Sequence, residues 1–187
     1  MLLPGYDVAK AAQAVVFFAT KAGGAINVLK LAKLLYLSER EFLTRYDEPM
    51  FYDRLAALPD GPVTSVTLNL INGHLEDPVW QKFVAARAGY DIAPAQGVSS
   101  AELTDLSKAD LEVLDAIWAK FGSFDKYKLR DWTHKPENVP EWKDPNGSSN
   151  DISYQSVFEH LHKDDPSLLI EHIKERRALS AELAKSA

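Results

Sequence analysis

The stretch VLKLAKLLYLSEREFL, Val28 to Leu43, constrains this chain more than any other. At about 100° per residue, Val28, Leu31, Ala32, Leu35, Phe42 and Leu43 gather on one broad side, while Lys30, Lys33, Arg40 and Glu41 form a narrow opposite stripe. The pattern predicts a helix enclosed over most of its circumference, with the rest of the chain packed around it. Glu39 falls in the middle of the apolar side, where a carboxylate must find donors or be protonated. Leu37 is the converse, an apolar residue within the charged stripe, and must be covered by another segment or by a partner.

The neighbouring segments follow from punctuation. Residues 7–22, DVAKAAQAVVFFATKA, are apolar on nearly every face apart from Lys10, Gln13 and Lys21, which predicts a buried first helix with Asp7 as N-cap and Gly23-Gly24 as stop. Asn27 opens the central helix, which should end near Tyr46-Asp47 ahead of Pro49. Pro59-Asp60-Gly61-Pro62 forces a turn, with Pro62 suited to the first position of a helix running through Leu68, Leu70 and Ile71 to Asn72-Gly73. Period-two spacing around Gly89 predicts a small β-hairpin within residues 80–94, with a helix from Val79 to Arg87 as the competing reading.

Residues 95–105 read as a loop. Ser107-Lys108-Ala109-Asp110 resembles a capping box and opens a helix carrying Leu111, Leu114, Ile117, Trp118 and Phe121 to Gly122, with Trp118 in the core. A helix from Asp125 to Thr133 should bury Tyr127, Leu129 and Trp132. Residues 144–151 are the most loop-like of all. Asp151 and Ser153 can start a helix through Val157, Phe158 and Leu161, and Asp165-Pro166 a final one to about Leu183. The expectation is a mainly α, single compact multi-helix domain over residues 1–187, six to eight helices with at most the one hairpin.

Composition narrows the chemistry. The absence of cysteine removes disulfides, thiolate catalysis and cysteine-ligated zinc. A net charge of −6 disfavours a broad nucleic-acid surface and with it a DNA-binding autoregulator. The longest apolar run, AVVFFA at residues 14–19, is far short of a membrane span, and no basic region precedes the first apolar residues, so the chain reads as soluble, unexported and cytoplasmic. The histidines, His74, His134, His160, His162 and His172, form no metal-ligand spacing, and there is no phosphate-binding glycine loop, nucleophile elbow or triad setting, so neither metal, cofactor nor catalysis is expected. Asn146-Gly147-Ser148 fits a glycosylation sequon but is better read as a turn.

Glu39 is the one candidate for an active carboxylate, and the favoured reading is structural: a buried acceptor for backbone amides near Gly61 to Val63, or for Arg54 or His134. Trp132 and Trp142 flank a proline-rich loop and are open to a contact role.

Three segments, KLAKLLYLSERE at 30–41, LAALPDGPVTSVTLNLING at 55–73 and LSKADLEVLDAIWAKFGSFDKYKLRDWTHKPENVPEW at 106–142, together resemble the Panacea domain, the SocA-like antitoxin family. The family's KLLYL-(A/S)-(D/E) helix corresponds to Lys33 to Glu39, its GPV-x-S turn to Gly61 to Ser65, and its LS-x-x-(D/E) helix with L-x-x-x-(T/S)-H and a tryptophan to Leu106 to Asp110 and Leu129 through His134 to Trp142. The resemblance covers about residues 8–161. It departs before the turn, where the family commonly has a tyrosine or similar residue and this chain has Pro59-Asp60. It implies an antitoxin that neutralises a protein toxin by direct binding, in the best-known member as an adaptor delivering the toxin to a bacterial AAA+ protease. Self-association is left open. The expected partner surface comprises Asp60, Gly61, Pro62, Val63, Ser65, Trp132, His134 and Trp142, with Leu37 as an addition. The alternative is a small-ligand-binding or hydrolytic domain using Glu39 and His134.

Overall fold

The computed structural model describes residues 2–185. Its axis is α2 (Val28–Tyr46), whose ends follow local chemistry: Asn27 accepts from the Leu29 amide at 3.1 Å, and Asp47 closes the helix in the left-handed conformation at φ 61°. Around α2 pack α1 (Val8–Lys21), α5 (Lys108–Phe121), α6 (Lys126–Thr133) and α7 (Tyr154–His160). Each has a side-chain N-cap, Asp7, Ser107, Asp125 and Ser153 respectively, and Ser107 with Asp110 forms a reciprocal capping box. The helix α1 is buried from Ala11 to Ala19, and its one polar residue in that run, Gln13, exchanges amide hydrogen bonds with Asp105. The remaining helices are α3 (Ser65–Ile71), α4 (Pro78–Phe83) and α8 (Pro166–Lys185).

The expectation of at most one hairpin is corrected by a three-stranded antiparallel sheet. Strands β2 (Leu55–Leu58) and β3 (Gly61–Thr64) turn at Pro59-Asp60, and β5 (Asn150–Ile152) joins the far edge of β2, giving the order β3-β2-β5. The turn is where the prolines place it, but Pro62 lies opposite Ala57 in β3 and the helix waits until Ser65. A proline is tolerated there because β3 is an edge strand whose missing N–H leaves no ladder bond unmade. The loop-like stretch 144–151 ends in β5, whose pairing with Leu55 to Ala57 is non-local.

Both readings of residues 79–94 are partly realised. The helix α4 stops at Phe83, and Val84 to Pro94 then folds back on itself, with the Ala85 amide donating to Ala93 O at 3.0 Å and the Ala95 amide to Phe83 O at 2.8 Å. The returning β4 (Asp91–Ile92) pairs with β1 (Ile26–Asn27), which leads directly into α2.

Two side-chain assignments differ from expectation. Lys33, placed on the charged stripe, is 1% exposed, because β3 and α6 close over it; Leu37, four residues on and in the same stripe, is 5% exposed and thus covered by the chain itself. Tyr127, expected in the core, stands out from α6, while Leu129 is buried and Trp132 and Trp118 are half-buried against the core. No helix among the described residues is long and apolar enough to cross a membrane.

Candidate functional site

The hairpin turn between β2 and β3 is held from three sides. Trp142 Nε1 donates to the carbonyl of Leu58 at 3.1 Å, and its indole lies flat on the His134 imidazole, ring centres 4.2 Å apart and planes 5° from parallel. From α2, Lys33 Nζ donates to the Pro62 carbonyl at 3.0 Å. From the end of α6, Thr133 presses against Gly61, which has φ 105°; a Cβ there would lie 2.9 Å from Thr133 Oγ1 and 3.0 Å from Lys33 Cε. Only glycine fits that position without displacement. The tip, Pro59 and Asp60, stays exposed while Gly61, Pro62 and Val63 are buried.

Trp142 is itself anchored through the residue before it. Glu141 accepts from Tyr36 Oη at 2.7 Å and from Arg40 Nε at 2.7 Å, tying the 139–142 segment to one flank of α2. Arg40 and Tyr36 are four apart, so a single helical face supplies both donors.

Of the residues expected to form one surface, Asp60, Gly61, Pro62, His134 and Trp142 converge. Val63 packs with Ala32 and Ala56 in a small core of its own. Ser65 lies at the far end of β3, receiving Arg54 Nη2 at 3.2 Å. Trp132 is two residues before His134 but on another side of α6, edge-on to Phe121 at 4.7 Å. Sequence reasoning missed Lys33, Thr133 and Leu58. One signal could have found Lys33: it is one turn from Leu37, and an apolar residue in a charged stripe indicates that the stripe is covered.

Burial shapes the titrations here. It lowers the Lys33 ammonium from 10.5 to about 7, with nearby Asp60 opposing the shift and Arg130 adding to it. Burial likewise lowers His134, against the hydrogen bond it makes to the Asp60 backbone. His134 Nε2 is buried without a hydrogen-bond partner among the described residues.

Glu39 belongs to a separate buried network. It is 0% exposed and accepts from the Phe51 amide at 2.9 Å and from Tyr154 Oη at 2.7 Å, in place of the expected Gly61 to Val63, Arg54 or His134. Burial raises its carboxyl from 4.5 to about 7, with the Tyr154 and Phe51 hydrogen bonds opposing. Asp53 lies beside it, accepting from the Val66 and Thr67 amides at 2.8 and 2.9 Å and so stabilising the start of α3. Arg177 of α8 donates to the carbonyls of Tyr52 and Asp53 at 2.9 and 3.1 Å. Every one of these contacts fixes the 50–54 segment between α2, α3, α7 and α8.

The molecule is therefore a helical domain whose central helix carries two buried polar anchors and whose exposed tip is a clamped β-hairpin. A family model described as antitoxin SocA-like, Panacea domain, matches residues 31–143, which run from α2 through the hairpin to Trp142 and Lys143. The chain belongs to this family. No curated protein and no solved structure matches it.

Proposed function

We propose that this protein is a non-enzymatic antitoxin that neutralises a cognate protein toxin by direct binding, through a face formed by the Pro59-Asp60 tip, His134 and Trp142, with Trp132 on the adjoining side of α6. The observation that carries the reading is that the family match spans the elements that build and clamp this tip. An antitoxin needs a complementary surface held in place, and the indole–imidazole stack, the Trp142–Leu58 bond and the Lys33–Pro62 bond give the tip that rigidity. Delivery of the toxin to an AAA+ protease is the finer form of the same reading. The enzymatic alternative would need Glu39 and His134 to face one cavity. Glu39 is enclosed with Phe51 and Tyr154, while His134 lies against Trp142, and the two share no hydrogen-bond partner among the described residues.

The test co-expresses the product of the adjacent gene with this protein, scores growth and asks whether the two co-purify. Rescue with a stable complex is expected. Rescue without complex formation, abolished by Glu39→Gln in a folded variant, would overturn the binding reading. Repeating the assay in cells lacking AAA+ unfoldases separates occlusion, which survives, from delivery, which does not.

A further inference from the structure

Beside the hairpin opens a cleft of about 400 Å³, within the roughly 300–1,000 Å³ typical of small-molecule sites. Its charge is opposite to that of the chain. Although acidic residues outnumber basic ones 27 to 21, Lys33, Arg87, Lys126 and Arg130 line the cleft against the single carboxylate of Asp60. Three of the four cations have no carboxylate bonded to them among the described residues. Lys33 binds the Pro62 carbonyl, Arg87 binds Asn72 and the Gly89 carbonyl, and Lys126 lies over the Tyr90 and Tyr127 rings. Arg130 pairs with Asp131, a surface residue outside the cleft. Arg87 and Lys126, with no carboxylate bonded to them among the described residues, and Arg130, whose partner Asp131 lies outside the cleft, set charged donors around a partly enclosed space, an arrangement suited to an anion with several acceptor oxygens.

The remaining lining indicates what else that anion carries. Val28, Ala32, Val63 and Leu68 supply apolar surface. Tyr90 and Tyr127 are 76% and 54% exposed and stand at the cleft with Lys126 between them, its Nζ 6.0 Å from one ring centre and 5.0 Å from the other. Two solvent-facing rings beside one cleft offer faces on which a flat group can stack. Asp60 adds an acceptor suited to a hydroxyl. Phosphate donors, exposed aromatic faces, an apolar wall and a hydroxyl acceptor together match a phosphorylated sugar bearing a planar base.

We propose that the cleft between α2, the β2–β3 hairpin and α6 binds a nucleoside phosphate. Arg87, Lys126 and Arg130 take the phosphate oxygens, Tyr90 and Tyr127 stack on the base, and Asp60 accepts from a sugar hydroxyl. The inference concerns the protein alone and does not depend on a toxin being bound. It places a small-molecule site next to the exposed tip, since Asp60 belongs to both.

The full-length protein is titrated by calorimetry with ATP, GTP, AMP, adenosine and pyrophosphate, and with a short poly-glutamate peptide. Saturable one-to-one binding of at least one nucleotide is expected, weakened about tenfold by Lys126→Gln or Arg130→Gln and by added salt, and unchanged by the remote Lys108→Gln. Tyr127→Ala should weaken the nucleotide and leave pyrophosphate unaffected. The proposal is overturned if no nucleotide saturates below about 1 mM. It is equally overturned if the Lys126 and Arg130 variants bind like the parent, if pyrophosphate binds as tightly as any nucleotide, or if the acidic peptide binds more tightly than all of them. Circular dichroism of each variant confirms that the surface substitutions leave the helices intact.

Discussion

Tyr154 Oη stands 2.7 Å from Oε1 of Glu39 and 2.8 Å from the carbonyl of Asp53, so one hydroxyl proton faces two acceptors deep in the core. With Glu39 ionised that proton is shared between the two acceptors; with Glu39 protonated the carboxyl can donate to the tyrosine, which then donates to Asp53 alone. That geometry agrees with a carboxyl raised by burial to about 7.

The first prediction follows from its sign. Between 4.5 and about 7 the folded state holds a proton that the unfolded state has released, so this group's contribution to stability falls as pH rises through that window. Glu39→Gln keeps a donor toward Tyr154 and an acceptor for the Phe51 amide without titrating. Its stability relative to the parent should therefore improve between about pH 5 and about pH 8 in urea unfolding. Glu39→Leu strands the Phe51 N–H and should lose about 1–3 kcal/mol at either pH. Parallel pH profiles for parent and Glu39→Gln would show that Glu39 is ionised in the folded protein.

Lys33 gives a trend of opposite sign. Its folded-state value is lowered by burial from 10.5 to about 7, so between those values the unfolded chain binds the extra proton and stability rises with pH. Lys33→Met removes the buried ammonium together with its bond to Pro62. Relative to the parent, the variant should fare best below about pH 7 and lose ground steadily toward about pH 10, measured by denaturant midpoint. A pH-independent difference would place the ammonium in solvent.

Gly61 is predicted to tolerate no side chain. Gly61→Ala meets both a left-handed φ and the Thr133 and Lys33 side chains, whereas Gly73→Ala, at φ 72°, meets nothing within 4 Å. Left-handed strain of about 1–2 kcal/mol is common to both variants, so the crowding by Thr133 and Lys33 is what should make Gly61→Ala melt below Gly73→Ala. Equal melting temperatures would mean that the hairpin lifts easily off α2 and α6.

For Trp142 the two roles separate by substitution. Trp142→Phe keeps a ring on His134 but loses the bond to Leu58, a loss of about 1 kcal/mol in stability. Trp142→Ala removes the ring as well, and an aromatic anchor at an interface is worth about 2 kcal/mol or more, close to thirtyfold in affinity. Toxin neutralisation should thus survive the first change and weaken with the second, as read by co-purification. Full neutralisation by a folded Trp142→Ala would move the interface elsewhere.

What the sequence determined by itself is local. Helix ends were legible because a cap is a contact between neighbours: Asp7, Asn27, Ser107, Asp125 and Ser153 each bond to an amide two or three residues on. The burial of Glu39 was legible too, since it depends only on which residues share its side of one helix. What tertiary structure decided lies between distant segments. One partner of Glu39, Tyr154, is 115 residues away, and the far edge of β2 is completed by β5, nearly a hundred residues later. The small, evenly apolar run LAAL shows no alternation, because β2 is covered on both faces, and so carried no strand signal. A wheel puts Lys33 on the charged stripe but cannot say which face is later covered; the hairpin and α6 closing over it make it the buried donor that holds the exposed tip in place.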